Sequence, residues 1–358
     1  MPIVPLLLLG LLAAVRGDEP LERRVSFAAV GDIQLGMALR AENQLPGGDP
    51  FALVRPPLEA DLTVGNLEGP IAWPWATEAR GAHGPHLRQP PDAADHLRAA
   101  GFDLVSLANN HVLDYGIPPV AGTLAALRRA GVDAAGAWED PAARFQPVLR
   151  TVNGLTIGFL SYTMWLNVAG GRETIGLGHF KTDDAVAEVA ALRPYVDFVV
   201  VLVHWEREND HFTYGSTRDL AHALVDAGAD VVLGHHAHVL KGLEWYRGAL
   251  IAYSLGNFVF GAVRGPLAQS GVLRFELAEG LDGRRSVRDV RIVPVSLDGP
   301  RSIPRVARGP RATRILALLR RIARPLDTFV DRDGSVLPRH PARTLGLAPR
   351  IRSLLVAR

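Results

Sequence analysis

The sequence contains no cysteine, and this absence excludes several kinds of chemistry at once. Without thiols the chain can form neither disulfides nor thiolate metal sites, and it has no cysteine nucleophile. Any divalent metal would need ligands from His, Asp, Glu or Asn, a set that suits Mn, Zn, Fe or Mg.

Lysine is almost as scarce, since Lys181 and Lys241 are the only two in 358 residues. Residues 301–358 carry 14 arginines against three aspartates, about +11, so the first 300 residues carry about −9. A basic end of this kind favours an anionic membrane or an acidic polymer as partner. An arginine-rich composition typical of a GC-rich genome explains the bias equally well. The negative balance of the rest argues against nucleic acid, which usually needs a basic groove.

Long apolar runs are also rare, and the longest is Ile3–Val15. It is too short to span a bilayer comfortably but fits the apolar region of a signal peptide, although no Lys or Arg precedes it. Val15 and Gly17 are small residues before a possible cut at Asp18. We expect residues 1–17 to be a signal peptide or an anchor, and the protein to act outside the cytoplasm, secreted or membrane-tethered. The alternative is a cytoplasmic N-terminal strand.

What the sequence does contain is an alternation of short apolar runs with helical patterns. This alternation predicts an α/β protein with a largely parallel or mixed sheet and helices on its faces. Two later segments, Gly271–Leu277 and Val287–Leu297, predict an antiparallel pair. The expected strands are Val25–Val30, Asp61–Val64, Asp103–Leu107, Leu155–Ser161, Asp197–Val203, Asp230–Leu233 and Leu250–Ser254. The expected helices are Pro91–Ala100, Val120–Ala130, Asp183–Leu192 and Thr217–Ala227.

We predict one domain over residues 24–300, followed by a basic tail over 301–358. The stretch Pro300–Pro310 is typical of a linker, and "TRILALLRRIARPLDTF" after it predicts an amphipathic helix. Its apolar side could dock on the domain or lie on an anionic membrane. The residues on that side are Ile315, Leu318, Leu319 and Ile322.

Polar residues follow most of the predicted strands. The carboxyl ends of strands in open α/β sheets meet at one edge, so residues far apart in sequence can share a cleft. Carboxylates, an amide and imidazoles suit one or two divalent ions, which can clamp a phosphoryl group and activate water. His111, with Asp114 three residues on, could act as an oriented general acid. The candidates are Asp32, Asn66, Glu68, Asn110, His111, Asp114, His204, His236 and His238.

The series "GDIQLG", "GNLEG", "SLANNHVLDYG", "HWERE", "GHHAHVLKGLEWYRG" and "IAYSLGNFVF" resembles the CapA family over residues 25–262. These are bacterial poly-γ-glutamate capsule-biosynthesis proteins related to calcineurin-like metallophosphatases. The resemblance implies a four-layer α/β/β/α sandwich of two mixed sheets, a metal centre at the strand ends and a place in the cell envelope.

The resemblance also assigns roles residue by residue. It implies metal ligation by Asp32 and Asn110, and by His204, His236 and His238, with His111 as proton donor. Glu208 keeps the family's glutamate position, and Asn257 of "SLGNF" also has a family match. Both are candidates for substrate contact, and the alternative for Asn257 is that it only caps a turn. His235 is expected to be a neighbour of the site and Asn109 a turn residue.

Three positions depart from the metallophosphatase pattern. Gln34 stands where those enzymes carry a histidine, and Asn66 replaces an aspartate that bridges two metals, a change CapA-like chains share. Glu68 is expected to supply the missing carboxylate, and the sequence is compatible with a centre of either one metal ion or two. Glu206 replaces a family glycine; its side chain could contact the site, but we expect it to point to solvent.

Two functions follow as expectations. The first is a metal-dependent hydrolase that acts on a phosphoester or on a link in an anionic polymer such as poly-γ-glutamate. The second is a non-catalytic capsule-assembly component that retains the fold and binds the polymer or membrane subunits of the capsule machinery. No nucleic-acid partner is expected.

Overall fold

The computed structural model describes residues 22–38, 48–77, 84–141, 146–168, 176–297 and 303–339. The predicted residues 1–17 lie outside these ranges. The strands are β1 (Arg23–Ile33), β2 (Leu62–Leu67), β3 (Leu104–Ser106), β4 (Asp133–Ala135), β5 (Ala137–Trp138), β6 (Val148–Val152), β7 (Leu155–Thr163), β8 (Gly176–Leu177), β9 (Phe198–His204), β10 (Val231–His235), β11 (Leu243–Tyr246), β12 (Ala249–Ala252), β13 (Asn257–Val259), β14 (Gln269–Glu279), β15 (Arg285–Ser296), β16 (Arg305–Val306), β17 (Thr328–Val330) and β18 (Val336–Pro338). The helices are α1 (Leu35–Ala38), α2 (Arg55–Leu58), α3 (Ala93–Ala99), α4 (Ile117–Ala130), α5 (Thr182–Leu192), α6 (Gly215–Ala227) and α7 (Gly309–Ala323).

Two mixed sheets form the centre of the molecule. The first has the order β16-β15-β14-β1-β2-β3-β4, with β13 also pairing with β1. The second has the order β11-β12-β10-β9-β7-β6. In the first sheet β1 to β4 run parallel while β14 and β15 form the predicted antiparallel pair.

Three apolar clusters hold these sheets in four layers. Between the sheets, Phe27 stacks on Phe275 with ring centroids 4.8 Å apart and approaches Phe159 of the second sheet. A second cluster packs α3 and α4 on the outer face of the first sheet, and a third packs α5 and α6 on the second. The α/β/β/α arrangement of two mixed sheets is therefore confirmed.

The predicted amphipathic helix is present as α7, and it docks on the body of the protein. Ile315 and Leu319 are each 1% exposed and belong to the cluster between the sheets. Just before α7, β16 extends the first sheet by pairing with β15 inside the stretch expected to be a linker. The hairpin of β17 and β18 then packs beside α7, β11 and β15. Among the described helices, none combines the length and apolarity needed to span a bilayer.

Strand register brings three polar residues side by side at the carboxyl end of β1. Asp32 pairs with Asn66 of β2 on one side and with Asn257 of β13 on the other. In the second sheet, His204 at the end of β9 pairs with His235 at the end of β10. The two sheets therefore present their polar strand ends at one edge of the sandwich.

Candidate metal centre

Asp32 is held in position by an unusually close approach of two backbone segments. A Cβ on Gly31 would lie 1.7 Å from the carbonyl oxygen of Gly256, so only glycine fits there without a shift. This approach lets the Asp32 amide donate a 2.9 Å hydrogen bond to that same oxygen. Nδ2 of Asn66 donates to Oδ1 of Asp32 at 2.9 Å and leaves Oδ2 facing the cleft.

Two carboxylates and one imidazole form the centre of the site. Asp32 Oδ2 lies 3.4 Å from His238 Nδ1, and Glu68 Oε1 lies 3.6 Å from His238 Nε2. One ligand atom from each of the three residues falls within 4.8 Å of the others, a spacing that could hold a metal ion.

The donor atoms of this trio fit a divalent cation. Oδ2 of Asp32 and both oxygens of Glu68 are buried, and no hydrogen-bond donor among the described residues satisfies them. Buried carboxylate oxygens without partners are costly, and a bound cation removes that cost. An oxygen-rich set with one imidazole suits Mn, Zn, Fe or Mg.

A second group of predicted ligands lies beside this trio. His204 Nε2 is 2.8 Å from Asn110 Oδ1 and 3.0 Å from His236 Nδ1. Asn66 connects the two groups, because its Nδ2 also lies 3.4 Å from His204 Nδ1. All seven residues predicted as ligands are therefore brought together at one edge.

Two of these histidines have a positive backbone φ angle, which residues other than glycine rarely adopt. His236 has φ of 87° and His238 has φ of 56°. Left-handed backbone at a residue other than glycine is strained, and such strain concentrates at functional sites. Here it turns two histidines of one short loop toward the same cleft.

Burial and neighbouring charge give the imidazoles different proton affinities. Burial lowers the pKa of His204 well below its usual value and lowers the pKa of His236 to about 4. Both rings are therefore neutral at pH 7, the form that ligates metals. For His238, burial lowers the pKa, but the charges of Glu68 and Asp32 outweigh it and raise the pKa to about 10. Burial raises the pKa of Glu68 to about 7.

His111 and Asp114 form an oriented proton-donor pair. Nδ1 of His111 lies 2.6 Å from Oδ2 of Asp114, which also accepts a 2.7 Å hydrogen bond from the Leu87 amide. The other ring nitrogen faces the metal trio, 3.8 Å from Glu68 Oε1. Although burial lowers the pKa of His111, the hydrogen bond to Asp114 raises it above its ordinary value.

A cavity of about 290 Å³ connects the site to solvent. Glu208 is exposed at this cavity, as expected of a residue that meets substrate. Asn257 is buried instead, and its Oδ1 lies 3.0 Å from His238 Nδ1, so its visible contact is with a predicted ligand. Substrate contact by these two residues stays a prediction. The cavity is lined by Met37, Gly84, Pro85, Leu87, Asn110, His111, Asn167, Glu208, His238 and Phe260.

Asn167 is a site residue that the sequence analysis missed. It lies in the loop after β7, and its side chain contacts both Asn110 and His111 at 3.2 Å. Asn167 follows a strand, as the predicted site residues do, but it lies outside the quoted sequence motifs, so no motif indicated its role. His235 is the expected neighbour of the site, and its Nε2 lies 3.2 Å from the Val30 carbonyl. Asn109, expected to be a turn residue, donates to the Leu67 carbonyl at 2.8 Å and also to Oδ1 of Asn66 at 3.2 Å.

The expectation that Glu206 points to solvent is wrong. Its carboxylate is fully buried and lies 2.8 Å from Nζ of Lys241, which is equally buried. Lys241 also donates to the Phe212 carbonyl, and Glu206 accepts from the Tyr214 amide. A buried cation draws the carboxylate inward, because an ion without a partner could not remain in the interior.

Comparison with known proteins finds similarity over most of the chain. Residues 26–262 match the family described as bacterial capsule synthesis protein PGA_cap. The chain is 30% identical over 302 residues to the PGA biosynthesis protein CapA of Bacillus subtilis, covering 82% of this chain and 79% of that one. It is 33% identical over 277 residues to the capsule biosynthesis protein CapA of Bacillus anthracis, covering 72% and 67%. Among solved structures, a hypothetical protein from Thermus thermophilus matches with a TM-score of 0.43 and 19% identity, over 75% of this chain and 99% of that one.

Proposed function

Because the chain belongs to the bacterial capsule synthesis protein PGA_cap family, we propose that it takes part in making or processing an anionic poly-γ-glutamate capsule, as a metal-dependent hydrolase. The observation that carries the proposal is the trio of Asp32, Glu68 and His238 beside a solvent-accessible cavity. Oδ2 of Asp32 and both carboxylate oxygens of Glu68 are buried and accept no hydrogen bond from the described residues. The bond cleaved would be a phosphoester or a link within the polymer.

The trio would hold one ion, and His204, His236 and Asn110 are close enough to help hold a second. A bound divalent ion supplies Lewis acidity and lowers the pKa of water. Neutral His204 and His236 leave their lone pairs available, and Asn66 fixes the free Asp32 oxygen toward the cleft.

Proton transfer is assigned to His111. Asp114 accepts from Nδ1 and so keeps the second ring nitrogen pointed toward the cavity. A protonated Nε2 can then donate to the leaving oxygen or nitrogen of the substrate. Asn167, in contact with His111 and Asn110, restrains both side chains.

The test compares the wild-type chain with Asp32→Asn, with Asp61→Asn as matched control. Asp61 hydrogen-bonds Ser26 outside the site, so it makes the same chemical change elsewhere. We expect Asp32→Asn alone to lose divalent metal, measured by elemental analysis, and to lose Mn- or Zn-dependent cleavage of bis-p-nitrophenyl phosphate or poly-γ-glutamate. Equal metal content in all three proteins, with no cleavage by any, would refute the hydrolase proposal.

A second candidate is a non-catalytic assembly component that binds the polymer or membrane subunits of the capsule machinery. One observation favours it. Gln34 does not take over the role of the missing histidine, because its amide is used by the Arg88 carbonyl and the Met37 amide. Polymer binding without turnover in every metal form would support this candidate. Under either function, we propose that the protein acts outside the cytoplasm, secreted or membrane-tethered.

A further inference from the structure

The basic segment after residue 302 exposes several arginines that form no ion pair with the described residues. Residues 303–339 contain nine arginines and three aspartates, a net charge of +6. Helix α7 buries Ile315, Leu319 and Ala323 against the sheets. Arg314, Arg321 and Arg324 are exposed and lie away from that apolar face. We call these three residues the arginine stripe.

The stripe follows the helix axis. Arg314 and Arg321 are seven residues apart, so they lie on the same side of α7, separated by about 10 Å along the axis. Arg324 follows within one further turn, at the start of the 3-10 segment Arg324–Leu326. The exposed charge is therefore arranged in a line.

Several arginines elsewhere in the described part of the protein are neutralised by acidic neighbours. Arg285 pairs with Asp197 and Glu279, and Arg288 pairs with Glu22 and Glu276. Even strongly exposed arginines such as Arg247 have a carboxylate within reach. No carboxylate of the described residues lies within ion-pair distance of the arginine stripe. Guanidinium groups bind carboxylates with two parallel hydrogen bonds, so the stripe is free to take carboxylates from a partner.

We infer that the arginine stripe is a second binding site, separate from the metal centre, for a linear polymer that carries repeated carboxylates. The choice of poly-γ-glutamate as the probe rests on the proposed function. Two observations favour such a polymer over an anionic membrane. Helix α7 has already buried its apolar face in the core, so it cannot insert that face into a bilayer as interfacial helices do. A linear row of charges also matches a chain better than a plane.

Binding at such a site depends on polymer length. A single exposed ion pair is weak, so one glutamate should not bind measurably. Several pairs formed by one chain add through effective concentration, so affinity should rise steeply with length and fall with salt.

The test uses the full-length protein with the triple variant Arg314→Gln, Arg321→Gln and Arg324→Gln. The control carries Arg128→Gln, Arg247→Gln and Arg284→Gln, which removes the same charge from exposed, ion-paired positions. Glutamine favours helix as arginine does, and circular dichroism checks that both variants fold. We expect the stripe variant to bind poly-γ-glutamate at least about tenfold more weakly than wild type, and the control to bind within about twofold of it.

Three further measurements separate polymer binding by the arginine stripe from the metal centre and from membrane binding. Asp32→Asn should bind the polymer like wild type, and the stripe variant should retain the metal content of wild type. Absence of hydrolase activity would therefore not affect the conclusion about polymer binding, and absence of polymer binding would not affect the conclusion about hydrolysis. Equal polymer affinity in the stripe variant and wild type, or equal losses in both triple variants, would overturn the inference. Loss of binding to phosphatidylglycerol vesicles with unchanged polymer binding would also overturn it and identify a membrane contact instead.

Discussion

Nζ of Lys241 lies 2.8 Å from Oε2 of Glu206, and both side chains are fully buried. The pair joins two loops of the site, since Glu206 follows β9 and Lys241 follows the loop of His236 and His238. The same loops are connected by the Asn209 amide, which donates to the Ala237 carbonyl at 2.9 Å. The ion pair therefore fixes the relative position of Glu208, at the cavity, and the paired histidines.

Removing one partner of this pair should destabilise the fold strongly. Lys241→Met leaves Glu206 buried without a cation, and we expect it to lower the free energy of unfolding by about 3–5 kcal/mol. The double variant Lys241→Met with Glu206→Gln should recover part of that loss, because no uncompensated charge remains. Urea unfolding measures both. Breaking the exposed pair of Arg247 and Asp226 with Arg247→Ala should cost less than about 1 kcal/mol, and an equal loss there would contradict a special role for burial.

Asn257 should influence metal affinity without touching the metal. Its Oδ1 holds Nδ1 of His238, and residues that orient a ligand typically contribute about 10–100-fold to metal affinity. We expect Asn257→Ala to weaken Mn binding by that factor in isothermal titration calorimetry. Asn257→Asp keeps an oxygen at the same place and should bind more tightly than Asn257→Ala. Identical affinities for the two variants would show that the hydrogen bond to His238 is unimportant.

Metal binding should release protons and strengthen as the pH rises. His238, with a pKa of about 10, is protonated at neutral pH, and Glu68, with a pKa of about 7, is protonated in about half of the molecules. A cation must displace these protons, so affinity should increase by about tenfold per pH unit or more between about pH 6 and pH 8.5. Calorimetry in buffers of different ionisation enthalpy counts the protons released. Glu68→Gln carries no carboxyl proton, so any remaining affinity should depend less on pH below about pH 7. Affinity independent of pH in the wild type would contradict the assigned directions.

His111 should matter most when the leaving group is poor. A general acid contributes about 10²–10⁴-fold to rate, and a p-nitrophenolate leaving group needs little protonation. In an active protein, His111→Asn should therefore reduce kcat/KM far more for an alkyl phosphodiester than for bis-p-nitrophenyl phosphate. Asp114→Asn should show the same preference more weakly, with unchanged metal content. Equal losses on both substrates would remove His111 from the proton-donor role.

The pattern of strands was sufficient to predict that the site residues meet, because the carboxyl ends of strands in an open α/β sheet converge at one edge. Asp32 and Asn66 lie one residue before the ends of β1 and β2, Asn257 begins β13, and parallel pairing aligns all three. The contact between Glu206 and Lys241 could not be predicted in this way. It joins two loops across 35 residues, and loop conformation follows from packing that no local pattern encodes.

Gln34 shows a similar limit. The sequence indicated a substitution in the metal pattern, but only the structure reveals that the glutamine amide binds the Arg88 carbonyl from a distant loop. Asn167 was missed for the same reason, since its partners Asn110 and His111 lie more than 50 residues away. The role of a side chain that contacts distant residues, as Gln34 and Asn167 do, is difficult to predict from a single sequence.

The close packing of residues 303–339 on both sheets has a practical consequence for anyone shortening this protein. Ending the chain at residue 300 would remove β16, which pairs with β15, and α7, which belongs to the same apolar cluster as Val287, Val290 and Ile292. The deletion would expose the edge of β15 next to apolar side chains, and an exposed strand edge of this kind pairs readily with other molecules. Aggregation after such a deletion would therefore reflect exposure of this strand edge and of the apolar cluster. The effect of the positive charge is better studied by substituting the exposed arginines within the intact chain.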